Sequence, residues 1–126
     1  MTLTKIETPN APKALGHYEQ GIIANGIITT AMQLPIRPDG SDAPLVDIRD
    51  QARQVLENVI AIIEAGGGSR ETIIQMRVYL TDIGDWEVVN EIYEDILGKA
   101  KPARSVIMIA GLHKGFKIAV EGVATI

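Results

Sequence analysis

Two charged residues in the last quarter of the chain are placed where they could do chemistry. Arg104 lies in the segment 101–105 (Lys-Pro-Ala-Arg-Ser), directly before an apolar run, and Glu121 lies seventeen residues later inside the apolar run 118–123. A guanidinium can bind a carboxylate through two parallel hydrogen bonds, and a carboxylate can orient a water molecule and take its proton. The two residues therefore favour a substrate that bears a carboxylate. A structural ion pair between them is the alternative.

The length and composition predict one globular domain. The 126 residues are enough for a single hydrophobic core, so we expect one domain spanning 1–126. The 12 basic and 16 acidic residues give a formal net charge of -4 without a basic stripe, which argues against nucleic acid as a partner. Cysteine is absent, so disulfides, thiol catalysis and cysteine-ligated zinc are excluded. With no signal-peptide segment and no apolar run long enough for a membrane, a cytoplasmic location is expected.

The histidines and aspartates do not show the spacing of a metal site. His17 and His113 are far apart in the sequence, and neither belongs to a His-Glu-x-x-His pattern. The aspartates between positions 39 and 50 lack the one-three-five spacing and the closing glutamate of a calcium loop. We therefore predict that no metal is bound.

Local patterns in the first half predict a hairpin and then a helix. Asn25 and Gly26 separate two short apolar runs, and both residues tolerate the positive φ angles of a type I′ turn. From 47 to 65 the apolar residues recur at three- and four-residue steps, which is typical of an amphipathic helix. Asp47 is the expected N-cap of this helix, and Gly66 is the expected C′ residue.

Patterns in the second half complete an α+β fold. A strand is predicted over 73–80, with the even-numbered residues on one face, followed by a helix that Asp85 caps and Gly98 ends. Two strands, 105–109 and 117–124, close the chain. This order indicates a mixed sheet with two main helices packed on one face. The other face is apolar enough that we expect subunits to associate over it.

Six short segments spread along the chain form a specific set. They are, in order, residues 16–20 (GHYEQ), 33–35 (QLP), 54–58 (QVLEN), 78–82 (VYLTD), 89–93 (VNEIY) and 101–105 (KPARS). Together they resemble the Rid family, the reactive intermediate deaminases, which is also called the YjgF or L-PSP endoribonuclease-like family. The resemblance implies a chorismate mutase-like α+β domain that assembles as a homotrimer, with ligand clefts between neighbouring subunits.

The same resemblance implies a reaction and the residues that carry it. The reaction is the hydrolysis of enamines and imines of the 2-iminopropanoate and 2-iminobutanoate type to 2-oxo acids and ammonia, with no cofactor. Arg104 corresponds to the arginine that binds the substrate carboxylate, and Glu121 corresponds to the acid that orients the attacking water. Tyr18 and Asn90 correspond to residues that line the pocket. Ile107 stands where archetypal members often have cysteine, at a position whose backbone groups face the ligand.

Two residues depart from the family pattern and leave the substrate open. Where the family has Thr-Ser-Gly-Gln, residues 30–33 read Thr-Ala-Met-Gln, so Ala31 lacks a hydroxyl and Met32 adds a side chain. The protein could then act on small imines, or on a larger pathway-specific substrate such as 2-aminomuconate. It could also be a chaperone-like trimer that binds small carboxylates without turnover. Ribonuclease activity, which one family name suggests, is disfavoured by the acidic balance and the absence of a histidine pair.

Overall fold

One mixed sheet and two helices build the fold in the computed structural model, which describes residues 2–126. The strands are β1 (Thr4–Ile6), β2 (Gly21–Ala24), β3 (Ile27–Thr30), β4 (Ile73–Leu80), β5 (Ala103–Met108) and β6 (Ile118–Thr125). The helices are α1 (Ile48–Ala65) and α2 (Trp86–Leu97). Short 3₁₀ turns precede β4, α2 and β6.

The sheet places the last strand in its middle. The strand order is β1-β2-β3-β6-β4-β5, and every neighbouring pair is antiparallel except β4 and β5. The parallel pair is possible because α2 carries the chain back across the sheet between these two strands. Both helices contribute to a core on one face of the sheet, which confirms the predicted α+β class.

The predicted hairpin is present, and one strand was not predicted. Asn25 and Gly26 have φ angles of 51° and 78°, and Ala24 pairs with Ile27, so the turn is a two-residue loop of the expected kind. The additional strand is β1, which pairs with β2. It has only three residues, too few for an alternating pattern to show.

The start of α1 agrees with the prediction, and its end differs from the prediction by one residue. The Asp47 side chain accepts hydrogen bonds from the backbone N–H groups of Arg49 and Asp50, so it is the N-cap. Gly66 keeps a right-handed φ of -84°, and Gly67 takes the left-handed conformation with a φ of 97°. The expected C′ position at Gly66 is therefore wrong, because the helix winds one residue further before it reverses.

A bulge changes which residues of β4 face the helices. The register with β6 shifts between Ile73 and Gln75, so Ile73 is buried and Ile74 is 46% exposed. The prediction that Ile74 shares a face with Met76 is therefore wrong, since an extra residue in one strand inverts the alternation before it. From Met76 onward the even-numbered residues of β4 are buried, as predicted.

The start of α2 lacks the side-chain hydrogen bond that was expected from Asp85. Asp85 directly precedes Trp86, but its side chain accepts no hydrogen bond from the first turn of the helix, and its Oδ2 is buried without a partner among residues 2–126. Asp82 instead accepts from the N–H of Gly84 and starts the preceding 3₁₀ turn. Asp85 therefore occupies the N-cap position, as predicted, but its side chain does not cap the helix, because that turn gives Asp85 helical backbone angles instead of the extended angles of a capping residue.

The face of the sheet away from the helices, here called the far face, remains open in the protomer. Ile28 points into the core and is fully buried, whereas its neighbour Ile27 is 37% exposed on the far face. Ile107, opposite Tyr79 in the register of β5 with β4, is 36% exposed on the same face. The predicted association of subunits over this face stays a prediction. Within the described residues, no helix has both the length and the apolarity to cross a bilayer.

The close approach of α1 to β6 depends on Gly122. A Cβ atom at this position would lie 3.0 Å from Val59 Cγ1 and 3.1 Å from the Met76 sulfur. We therefore expect Gly122→Val to lower the free energy of unfolding by about 1–3 kcal/mol, as overpacking of a core does. Chemical denaturation measures this change.

The matched control is Gly111→Val, because an added Cβ at this exposed glycine meets no atom within 4 Å. Its unfolding curve should match that of the wild type. Equal stability of the two variants would contradict the tight contact at Gly122.

Candidate functional site

Arg104 points toward the helices from the edge of the sheet. It is the second residue of β5 and lies opposite Met76 in the parallel register with β4. Neighbouring residues in register share a face of the sheet, and Met76 is fully buried on the helix face. The Arg104 side chain therefore leaves the sheet on the side of α2.

The guanidinium of Arg104 lies against two aromatic rings of α2. Its central carbon is 4.6 Å from the centroid of the Trp86 ring and 4.8 Å from that of Tyr93, within the range of cation–π contacts. Its Nη1 also donates a hydrogen bond of 3.0 Å to Oδ1 of Asn90. Trp86, Asn90 and Tyr93 share one side of α2 because they are four and three residues apart. The structure thus brings together two of the predicted site residues, Arg104 and Asn90.

The Arg104 guanidinium is not neutralised by a carboxylate. The ion pairs among residues 2–126 involve other cations, and Arg104 takes part in none of them. It borders a groove of about 660 Å³, whose other lining residues include Glu94, Lys101 and Pro102. A guanidinium has five N–H donors, so Arg104 retains donors for an anion that enters this groove.

The phenol of Tyr93 is enclosed beside the guanidinium. Tyr93 is 6% exposed, and its hydroxyl oxygen has no hydrogen-bond partner within the described part of the chain. Burial raises the pKa of the Tyr93 phenol, and the positive charge of Arg104 opposes part of this rise. The phenol therefore stays neutral and offers the guanidinium an aromatic face rather than a counter-charge.

Glu121 belongs to a different cluster, on the far face of the sheet. It lies opposite Arg77 in the antiparallel register of β6 with β4. Its Oε1 accepts a hydrogen bond of 3.3 Å from Nη1 of Arg77 and one of 3.1 Å from the hydroxyl of Tyr79. Burial and the hydrogen bond to Glu121 raise the pKa of Tyr79, and Arg77 opposes the rise. Both bonds end on Oε1, and Oε2 accepts none from the described residues.

Arg104 and Glu121 are therefore separated by the sheet within one protomer. Arg104 lies on the helix face, and Glu121 lies on the far face with its ion pair to Arg77. The two residues form no ion pair with each other in residues 2–126, so the alternative of a structural pair between them is wrong for a single chain. A substrate could touch both only if two protomers contributed one residue each.

The remaining predicted site residues fall into two places. Ile107 lies on the far face with Glu121. Tyr18 and Met32 are 53% and 43% exposed and line a second cavity of about 480 Å³. Ala31 directly precedes Met32, and its N–H donates to the backbone oxygen of Gln20. One protomer thus holds three separate groups of predicted residues rather than one complete site.

Sequence reasoning missed four residues that hold the charged groups. The sequence assigned no role in the site to Trp86 or Tyr93, although their spacing from Asn90 could have placed them beside the same cation. The contact of Arg77 and Tyr79 with Glu121 gave no local signal, because it depends on the pairing of strand residues that are more than forty positions apart in the sequence. Among residues 2–126, no cluster of histidine, aspartate or glutamate could hold a metal ion.

The contact between Tyr79 and Glu121 has a consequence at alkaline pH. The folded protein keeps the Tyr79 proton above the ordinary pKa of 10.0, whereas the unfolded chain loses it near that value. The stability that this contact contributes is thus fully present below pH 10 and is lost as the pH rises through the raised pKa. Absorbance titration of the wild type should therefore show tyrosine ionisation above pH 10.

The variant Tyr79→Phe should remove one tyrosine from the late part of this titration. It should also flatten the loss of stability above pH 10, measured by chemical denaturation at a series of pH values. A late transition of unchanged amplitude in the variant would show that Tyr79 ionises as in water.

Comparison with known proteins identifies the family of this fold. The family described as endoribonuclease L-PSP matches residues 8–126. A RutC family protein from Pyrococcus horikoshii is 43% identical over 119 residues, which cover 94% of each chain. A 2-iminobutanoate/2-iminopropanoate deaminase from Escherichia coli is 39% identical over 122 residues, again covering 94% of each chain.

A solved structure agrees with the sequence relatives. The crystal structure of Escherichia coli TdcF with bound serine has a TM-score of 0.93 to this chain at 38% identity, and the match covers 98% of both chains. The predicted family and its α+β fold are therefore confirmed. From its fold and from these relatives, the chain belongs to the endoribonuclease L-PSP family, also called the Rid or YjgF family of reactive intermediate deaminases.

Proposed function

We propose that this protein hydrolyses 2-imino acids of the 2-iminopropanoate and 2-iminobutanoate type, and their enamine tautomers, to 2-oxo acids and ammonia. The observation that carries the proposal is the guanidinium of Arg104, which two rings and an amide hold at a groove without a carboxylate partner in residues 2–126. The Escherichia coli relative named for this reaction supports it at 39% identity. TdcF with bound serine adds support, because serine carries the same carboxylate group.

Hydrolysis of an imine requires the protein to position the substrate and a water molecule and to transfer protons. Water adds to the C=N carbon of the imino acid to give a tetrahedral carbinolamine, which then expels ammonia and leaves the carbonyl of the 2-oxo acid. A guanidinium that binds the carboxylate fixes the adjacent carbon relative to the attacking water. A general base that accepts a proton from this water contributes on the order of 10²–10⁴ in rate. No cofactor takes part in these steps.

In this proposal Glu121 orients the attacking water from a neighbouring protomer. Arg77 and Tyr79 hold its Oε1, and Oε2 is available to a water molecule on the far face. Since Arg104 lies on the opposite face of its own sheet, the neighbour's Arg104 would have to reach this carboxylate. A homotrimer with clefts between subunits meets this requirement, and it also covers the exposed Ile107 and the rest of the far face.

Four further residues complete the proposed cleft. Asn90 binds Arg104, Tyr18 and Met32 line the wall that a neighbouring subunit would close, and Ala31 directly precedes Met32. The exposed thioether of Met32 in a cavity of about 480 Å³ favours a second candidate function, a deaminase for a larger imine such as 2-aminomuconate. Turnover of that compound without turnover of small imines would select this second candidate.

The variant Arg104→Ala tests whether Arg104 binds the substrate carboxylate, a role that is here called the carboxylate clamp. Loss of hydrogen bonds to a charged group should lower kcat/KM by about 10- to 100-fold. In the assay, an amino-acid oxidase generates 2-iminopropanoate from alanine. The rate of pyruvate release with the protein is compared with the rate in buffer alone.

The matched control is Arg70→Ala, because Arg70 is exposed, outside the groove and free of ion pairs within residues 2–126. Its activity should equal that of the wild type. Full activity of Arg104→Ala would refute the clamp. Binding of 2-oxobutanoate without any turnover by the wild type would indicate a carboxylate-binding protein rather than an enzyme.

Mixing two inactive variants tests whether neighbouring protomers share a site. We expect Arg104→Ala and Glu121→Gln each to be impaired alone. If one protomer supplies Arg104 and the next supplies Glu121, random trimers from an equal mixture contain both native residues in about a quarter of the sites. Co-refolding the two variants and measuring deaminase activity gives this fraction.

Activity of the co-refolded mixture that merely averages the two separate variants would mean that one protomer supplies both groups, or that Glu121 is only structural. Each variant co-refolded with itself is the control for losses during refolding.

A further inference from the structure

The side-chain amide of Asn90 lies between an anion and the Arg104 cation. Its Nδ2 donates a hydrogen bond of 3.1 Å to Oε1 of Glu94, and its Oδ1 accepts one of 3.0 Å from Nη1 of Arg104. Glu94 is one turn beyond Asn90 on α2, so the carboxylate and the amide meet at the surface of the helix. The three side chains form a line in which each donor faces an acceptor.

The carboxylate of Glu94 decides which end of the amide faces the arginine. An amide carries two donor hydrogens on nitrogen and an acceptor oxygen, and the two ends are similar in size. If the Asn90 amide turned by half a rotation, its N–H groups would face the N–H groups of Arg104 and the hydrogen bond would be lost. Glu94 accepts only from the nitrogen and therefore disfavours this reversed state.

The amide also keeps the anion and the cation apart. Glu94 and Arg104 line the same groove, yet no ion pair forms between them in the described residues. Because Asn90 occupies the position between the two groups, Glu94 acts on Arg104 without neutralising it. The N–H donors of Arg104 that face the groove remain free for a ligand.

The aromatic rings of α2 restrict the position of the guanidinium in addition to its hydrogen bond with Asn90. The guanidinium carbon lies over the rings of Trp86 and Tyr93, while Nη1 donates to Asn90. A long arginine side chain loses rotamer freedom when it is held in this way before the ligand arrives. A ligand then binds to a cation that is already oriented.

We propose that Glu94 is a positioning residue for Arg104: it fixes the orientation of the Asn90 amide, and the amide together with Trp86 and Tyr93 aims the guanidinium into the groove. This inference rests on the proposed role of Arg104 as the carboxylate clamp. It assigns to Glu94 an effect on carboxylate affinity, with no contact to the substrate and no part in proton transfer.

The test measures the dissociation constant of 2-oxobutanoate by calorimetry in Glu94 variants. The variant Glu94→Ala should weaken binding by about 3- to 10-fold, because the amide can then reverse and Arg104 loses its fixed direction. The variant Glu94→Gln keeps an oxygen that accepts from Nδ2 but adds N–H groups that can pair with the reversed amide, so its affinity should lie between those of Glu94→Ala and the wild type. In the activity assay, Glu94→Ala should raise KM more than it lowers kcat.

The control is Glu91→Ala, because Glu91 lies on the same helix but pairs with Arg49 on α1. Its affinity should be unchanged. Glu94 is exposed, so its replacement by alanine should leave the thermal unfolding midpoint in place. An unchanged dissociation constant in Glu94→Ala would overturn the inference, and so would a greater loss of affinity in Glu94→Gln than in Glu94→Ala.

Trp86 gives a second readout that does not depend on turnover. It is the only tryptophan in the chain, so the tryptophan emission reports the surroundings of this one ring, which include the Arg104 guanidinium. Without ligand, the emission of Glu94→Ala should shift from that of the wild type toward that of Arg104→Ala. Identical spectra of Glu94→Ala and the wild type would count against the positioning role.

These readouts separate the inference from the proposed function. A wild type that binds 2-oxobutanoate without deaminase activity, with weaker binding in Glu94→Ala, would refute the enzyme and support the positioning role. A wild type that shows neither deaminase activity nor saturable binding of 2-oxobutanoate would refute both.

Discussion

An arginine that has no carboxylate partner among residues 2–126 is the constraint around which the candidate site is built. The chain has 16 acidic and 12 basic residues, and Arg49, Arg53 and Arg77 each form an ion pair with one of the acids. Arg104 instead lies between two rings and an amide oxygen. Aromatic faces stabilise a guanidinium without occupying its edge donors, whereas a carboxylate would occupy them. The protein therefore keeps a charge ready for an external anion.

The sheet sets the second constraint, because it separates the two groups that the proposed reaction needs. Met76 and Arg77 are successive residues of β4 and point to opposite faces. Arg104 pairs with the first of them and Glu121 with the second, so the two charges diverge. The proposed reaction therefore needs a neighbouring subunit that brings its own Arg104 to the far face, beside Glu121. The function proposed for this chain is thus a function of an assembly.

Local chemistry made much of the fold predictable. The turn residues Asn25 and Gly26 and the cap Asp47 act within a few residues of themselves, and the structure confirms them. The departures arose where local patterns meet tertiary structure. The bulge at Ile74 inverted one position of β4, and a 3₁₀ turn displaced the capping role expected of Asp85. The candidate site was predictable only in part, since family motifs mark single residues but not the pairing of distant strands that surrounds them with partners.

A crystal structure of the protein with bound 2-oxobutanoate would show directly whether Arg104 of one protomer and Glu121 of the next form one binding site. The ligand carboxylate should lie within hydrogen-bond distance of the Arg104 guanidinium, between Trp86 and Tyr93 of one protomer and the far face of the next. The Glu121 side chain of that neighbour should face the carbonyl carbon of the ligand. A ligand carboxylate bound by another cation, or an Arg104 that lies in solvent away from the ligand, would contradict the account.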